Sequence, residues 1–242
     1  MIFPKIAENR RIIAALLLLF AAAAAIIAAV TAGRAEAADN VAAARAELPV
    51  LVIDAGHGGL DGGASSADGM TENEVNLAIA LRLEALASLC GAETVMTRTA
   101  LDLNYPDESA SIAEKKVWDQ NYRLLLINSI KNAVLISIHQ NAYPDPRPSG
   151  TLVLYGAAEG SSGFGEALHS QLVESFNPEN RRVAAPAPDS VYLMRSVTCP
   201  AVLAECGFLS NPQEAEKLAD DDYRLKLAMA MASVFLRYWS AA

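Results

Sequence analysis

Three mostly apolar runs in this sequence stop at residues that can bind a metal or move a proton. "VLVID" leads to His57, "AVLISI" leads to His139, and "PAVLAE" ends on Glu205. In an open α/β sheet, ligands bind beyond the carboxyl ends of the strands, so side chains at such ends are candidates for chemistry. A lone histidine there is ordinarily a satisfied turn or core residue. Here, two of the chain's three histidines occupy equivalent strand ends. The third, His169, falls inside "GEALHSQLVESF" and reads as an ordinary surface or half-buried helix residue.

A metal site needs a third ligand, and the segment "TENEVNLAIALRLEALASLCG" offers Glu72 and Glu74. Thr71 to Glu74 spell T-x-x-E, a capping box in which the Glu74 carboxylate reaches back to the Thr71 amide. Glu74 is thereby occupied, and Glu72 at the first helical position is free to point outward. Alone, Glu72 would be an exposed acid favoured by the helix dipole. Beside His57 and His139 it completes two imidazoles and a carboxylate, the protein ligand set of a catalytic zinc site with its fourth position open to water. Water acidified in that way needs a group that takes its proton and returns it to a leaving nitrogen. Glu205 is the candidate, since a dry strand end raises a carboxyl pKa toward the working range. The other reading of Glu205 is a salt-bridged or supporting acid.

The elements that must position these residues alternate along the chain. Strands are expected at Val50–Asp54, Thr94–Thr97, Ala133–Ile138, Thr151–Tyr155, Val191–Met194 and Ala201–Ala204. Helices are expected at Glu72–Cys90, Ser111–Lys131, Gly165–Phe176, Pro212–Ala219 and Tyr223–Tyr238. This alternation implies an α/β fold with a mostly parallel twisted sheet flanked by helices, in a single catalytic domain. Val75, Ile79, Leu83 and Leu86 form the stripe that packs the first helix on the sheet. Five glycines surround His57 in "AGHGGLDGGA", where the backbone must turn tightly and leave room above the ring. Asn211, Pro212 and Glu214 read as N-cap, first helical residue and capping partner of a helix, with Gly207 allowing the turn before it. The Pro- and Asp-rich stretches 99–110 and 141–149 read as loops beside the site, where substrate contacts would vary.

The chain has 242 residues, and its formal net charge is −9. Lys5, Arg10 and Arg11 precede an apolar run from Ile12 to Ala32, and Ala35-Glu36-Ala37 follows. Residues 1–38 therefore read as a signal peptide or an N-terminal membrane anchor. The A-x-A-like signal favours cleavage, and residues 39–47 serve as a short linker before a catalytic domain at 48–240. The expected location is extracytoplasmic, at the cell wall or the outer face of the membrane. Beyond residue 38 the chain carries 15 basic and 26 acidic groups. Such an acidic body without a basic stripe argues against nucleic acid. Cys90, Cys199 and Cys206 form neither a disulfide framework nor a close zinc-binding pair, and read as buried thiols. For Arg98, Arg123 and Arg195 the default is a salt bridge or a solvated end.

The motifs "VIDAGHGGLDGGA", "TENEVNLAIALRL", "VMTR", "LISIHQNA" and "PAVLAECGFLSNPQEAEKL" occur in an order that resembles the zinc-dependent N-acetylmuramoyl-L-alanine amidases of the type-3 amidase family. The resemblance spans nearly all of Leu48 to Trp239. It implies that His57, Glu72 and His139 bind zinc (Zn2+), that Glu205 is the catalytic acid, and that Asn141 contributes to substrate binding at the cleft edge. The implied reaction cleaves the amide between the lactyl group of muramic acid and the first L-alanine of the peptidoglycan stem peptide. Gln140 and Tyr143 depart from the small residues of many relatives. The 141–150 loop is too short for the zinc-covering helix that autoinhibits some cell-division relatives, so the site is expected to be accessible. A single catalytic domain without wall-binding repeats is most similar to the sporulation members that prepare muramic-lactam in the spore cortex. Peptidoglycan is then the partner, a membrane is met only through the N-terminal segment, a protein activator is undetermined, and nothing demands more than a monomer. Two alternatives keep the same residues: a zinc peptidase cutting within the stem peptide, and a non-catalytic peptidoglycan-binding regulator.

Overall fold

A computed structural model of the protein describes residues 20–22, 24–34, 36–37 and 48–239. Residues 20–22, 24–34 and 36–37 are helical, and no described helix is long and apolar enough to cross a membrane. Residues 1–19, 23, 35 and 38 of the expected leader, the linker at 39–47 and residue 240 of the expected catalytic domain lie outside the described residues. Pro49–Ala242 forms one compact unit.

That unit contains β1 (Val50–Ala55), α1 (Glu72–Leu89), β2 (Glu93–Met96), α2 (Ile112–Ser129), β3 (Ala133–Asn141), β4 (Leu152–Tyr155), α3 (Ser161–Phe176), β5 (Ala185–Pro186), α4 (Tyr192–Ser196), β6 (Ala201–Phe208), α5 (Pro212–Ala219) and α6 (Asp221–Trp239). The sheet order is β2-β1-β3-β6-β4-β5, parallel except where β4 runs against β6. From β1 the chain moves outward to β2 and then returns to place β3 on the other side of β1. The crevice between β1 and β3 is therefore a topological switch point, where open α/β sheets bind their ligands.

Strand alternation divides the sheet into two unlike faces. Leu51, Ile53, Ile136, Ile138 and Val202 pack with Val75, Ile79 and Leu83 of α1, Leu168 of α3 and Met231 of α6 in one large core. Each such side chain contributes about 1.5–3 kcal/mol by leaving water. Val52, Leu135, Ala201 and Leu203 form a smaller cluster with Ile127 of α2 and with Met194 and Val197 around α4.

The structure departs from the sequence reading at several places. Val191–Met194 is not a strand: Tyr192–Ser196 is a short helix, closed by the Arg195 N–H donating to the Val191 carbonyl. A four-residue apolar run carries no decisive period, and burial of Met194 is achieved equally well by a helical turn. β3 and β6 extend past the expected ends, so that His139 and Glu205 lie within strands. Gly207 also lies within β6, and a Cβ there would stand 3.3 Å from Leu218 Cδ1, so it permits close helix packing rather than a turn. Asn211 caps α5 as expected, but Glu214 does not complete the cap. Its carboxylate instead accepts from the amides of Gly150 and Phe208. Cys206 is buried, Cys199 is partly exposed and Cys90 is exposed beside the end of α1.

Candidate metal centre

His57 leaves the sheet on a strained turn. Gly56 still donates to the Ile138 carbonyl, and the next residue adopts φ +60. A non-glycine residue pays steric energy in that left-handed region, so other contacts must hold it there. The turn is closed by reciprocal bonds between Gly58 and Asp61. Arg123 of α2 donates to the His57 carbonyl, and Asp61 Oδ2 lies 3.0 Å from His57 Nδ1. An Nδ1–H donated to Asp61 leaves Nε2 as a lone-pair donor facing the site.

Glu72 meets that nitrogen from the start of α1. The Thr71 amide and hydroxyl both donate to Glu74, so Glu74 is engaged in the cap as the sequence suggests. The Glu72 side chain turns inward, with Oε1 at 3.3 Å from His57 Nε2 and 3.0 Å from His139 Nδ1. Oε2 accepts from the Ala64 amide, and Oε1 from the Gln140 amide. Burial opposes ionisation of Glu72, but the two imidazoles outweigh it and hold the carboxyl well below the usual range.

One donor atom from each of His57, Glu72 and His139 lies within 4.8 Å of the others, the only such group among the described residues. Two glycines make the space. A Cβ at Gly56 would stand 2.3 Å from His139 Nε2, and one at Gly63 would stand 2.5 Å from Glu72 Oε2. Two neutral imidazole nitrogens and a carboxylate suit zinc in both number and chemistry, so the residues present fit that ion. The side chains of His57 and His139 remain 27% and 19% exposed, leaving the cluster open to a ligand.

Glu205 lies beside His139 as its direct partner in the β3–β6 pairing. Its Oε2 is buried without a hydrogen-bond partner. Burial pushes its pKa up to about 7, with Glu72 adding to the rise and both imidazoles opposing it. A cavity of about 150 Å³ opens against His57 and His139, with Lys116 and Gln120 of α2 and Tyr192 of α4 among its walls. Asn141 ends β3 opposite Phe208 and is half-buried. Gln140 points to the other face, where its amide donates to Asn76, and Tyr143 is exposed in the following loop. His169 is buried and lies outside the cluster, with Nε2–H donating to the Arg182 carbonyl.

The sequence reading missed the support beneath the site. Asp54 is fully buried and accepts from Thr97, Ser137 and Arg123. Burial opposes its charge, but Arg123 and Ser137 hold its pKa below the ordinary value. Arg123 also pairs with Asp119 and donates to the Ala55 carbonyl. Of the two expected readings, Arg123 is thus the salt bridge, in a buried form that clamps the strand end. Arg98 is buried as well, and its guanidinium donates to the carbonyls of Ala55, Gly56, Asn73 and Ala100 with no acid in contact. Arg195 alone of the three stays exposed. Two signals pointed this way: a lone acid inside the apolar β1, and the i, i+4 spacing of Asp119 and Arg123.

Comparison with known proteins agrees with this architecture. The chain is 34% identical over 198 residues to the germination-specific N-acetylmuramoyl-L-alanine amidase of Bacillus subtilis, covering 79% of this chain and 80% of that one. Among solved structures it resembles the CwlD amidase of Clostridioides difficile, determined in complex with the GerS lipoprotein, with a TM-score of 0.75 at 30% identity, covering 80% of this chain and 100% of that one. It also resembles the catalytic domain of CwlV from Bacillus (Paenibacillus) polymyxa var. colistinus, with a TM-score of 0.65 at 28% identity over 81% of this chain and 100% of that one. Residues 51–235 match the model of the N-acetylmuramoyl-L-alanine amidase family, and the chain belongs to that family of cell-wall hydrolases.

Proposed function

We propose that His57, Glu72 and His139 hold a zinc ion and that Glu205 is the acid–base group for cleavage of the amide between the muramic acid lactyl group and L-alanine. The observation that carries this reading is the convergence of the three donor atoms within 4.8 Å beside a carboxyl with a buried, unpartnered oxygen. A zinc ion held there supplies Lewis acidity, polarising the scissile carbonyl and lowering the pKa of water. Glu205, with its pKa raised to about 7, takes the proton of the attacking water and delivers it to the leaving L-alanine nitrogen. Asp61 fixes the His57 ring and Arg123 holds its backbone, and on this reading Asn141, at the end of β3, contacts substrate.

Export is part of the same proposal, because the substrate lies outside the cytoplasmic membrane and the basic, apolar and A-x-A-like order of residues 1–38 supports it. Likeness to the germination-specific amidase supports action on the spore wall, with muramic-lactam as the product made after the peptide is removed. The test is incubation of the protein with purified peptidoglycan and zinc, with and without chelator, and mass spectrometry of the released fragments. Free stem peptides beginning with L-alanine, absent under chelation, are expected. Shortened peptides still joined to muramic acid would instead identify a peptidase, and binding without turnover would identify a regulator or a requirement for a protein partner.

A further inference from the structure

β4 enters the sheet at its reactive edge, with Leu152 opposite Glu205. Just before it, residues 147–150 face residues 177–182 across a groove of about 800 Å³. Three arginines line that groove, Arg147, Arg181 and Arg182, in a chain whose net charge is −9. The side chains of Arg147 and Arg181 are 87% and 84% exposed and pair with Asp145 and Glu179. The Arg181–Glu179 pair, at 3.8 Å, is of the exposed kind worth about 1 kcal/mol or less and can be exchanged for a ligand carboxylate, while Arg147, forked onto Asp145 through Nε and Nη2, has Nη1 to offer.

Arg182 is built into the wall. Its side chain donates to the Ser149 carbonyl and lies over the Phe208 ring, 5.4 Å from its centroid. Its own carbonyl is held by buried His169, which the catalytic site does not use. Asn180 donates to the Thr151 carbonyl, and Gly150 at φ +91 lets the segments close, since a Cβ there would lie 3.1 Å from Asn180 Nδ2. Phe208 lies beyond Glu205 on β6 across a register shift that sets three residues of β6 against two of β3, a span of roughly 7 Å. An extended peptide whose first amide lies at Glu205 covers that span with about two residues.

We propose that this groove is a second substrate subsite, which takes free carboxylates of the stem peptide remote from the cleaved amide. The proposal rests on the amidase reading of the site. Arginine suits the task because its planar fork engages a carboxylate through two parallel hydrogen bonds. The groove selects substrate by its distal charge, while the cluster at His57, Glu72 and His139 acts on the amide.

The test uses the full chain with zinc and two probes: an N-acetylmuramoyl tripeptide with free carboxylates, and the same compound with its carboxylates converted to carboxamides. The protein is expected to cleave both, with a KM about 10-fold lower for the free acid. Arg147→Gln/Arg181→Gln is expected to raise KM for the free acid and to erase the difference between the probes. Arg182→Lys is expected to retain part of it. Lys226→Gln/Arg237→Gln on α6, which changes net charge equally, is expected to keep the discrimination. Equal KM values for the two probes with the unmodified protein, undiminished discrimination in the groove variant, or its loss in the α6 variant would each overturn the subsite and leave the amidase standing. Cleavage of neither probe by zinc-loaded protein that releases stem peptides from peptidoglycan would overturn the subsite alone, whereas release of shortened peptides still joined to muramic acid would overturn the amidase reading, and the subsite with it.

Discussion

The two faces of this sheet are made by the same strands yet do different work. On the face covered by α1, α3 and α6, β1 presents Leu51, Ile53 and Ala55, and β3 presents Val134, Ile136 and Ile138, all buried among apolar neighbours. On the face toward α2 and α4, the intervening residues begin apolar, at Val52 and Leu135, and become polar toward the strand ends, at Asp54, Ser137, His139 and Glu205. The first face supplies stability without directional demands. The second carries buried charges that must each find a partner, because an unpaired charge in a dry interior is costly. That need explains why Lys116 and Arg123 of α2 converge on Asp61, Asp54 and the His57 carbonyl, with Asp119 pairing Arg123 from the same helix. Glu205 is the exception, with a buried Oε2 that has no hydrogen-bond partner, and on the proposed mechanism the attacking water is that partner.

The sharpest division between the faces should come from Glu205→Gln. On the proposed mechanism, kcat falls by about 10²- to 10⁴-fold, while zinc content by atomic absorption stays at one equivalent; unchanged turnover would make Glu205 a supporting acid. Next in size is Arg123→Met, which strands the buried Asp54 carboxylate and should cost about 3–5 kcal/mol. It should also weaken zinc retention against a competing chelator, since Arg123 grips the carbonyls of Ala55 and His57. Leu83→Ala on the opposite face is expected to cost about 2–5 kcal/mol in denaturant unfolding but to leave zinc retention as it was. If both variants lost zinc alike, the faces would not be separable.

The pH dependence of the metal-free protein sharpens the same comparison. Burial raises the folded-state pKa of Glu205 from 4.5 to about 7, so the native state holds that proton more tightly than the unfolded chain. Its contribution to stability is full below pH 4.5 and is lost as pH rises through 7, on the order of 3 kcal/mol. Metal-free Glu205→Gln should therefore melt at a higher temperature than the unmodified protein at pH 8, with the gap closing at pH 4.5. The smallest effect belongs to Glu74→Ala, which removes a helix cap worth about 1 kcal/mol. Zinc retention should be unaltered there, whereas Glu72→Ala, two residues away, should abolish it.

Much of the site was legible because strands and helix caps are local objects. The apolar runs located β1, β3 and β6, and the T-x-x-E pattern distinguished Glu74 in the cap from Glu72 in the site. The α4 segment was misread because four apolar residues lack a period long enough to tell strand from helix. Glu214 was misassigned because its capping spacing is local, while the amides it serves, at Gly150 and Phe208, are brought to it by the sheet.

By itself, the sequence determined the α/β alternation, the glycine turn around one histidine and the set of groups available for chemistry, since these depend on neighbours within a few positions along the chain. The tertiary structure decided which groups meet. Crossing from β2 back past β1 sets His57 and His139 on either side of one crevice and places Glu205 beside them. It also makes buried clamps of two arginines for which the sequence left a salt bridge or a solvated end, because a guanidinium can enter a core only where backbone carbonyls and carboxylates from distant segments converge to receive it.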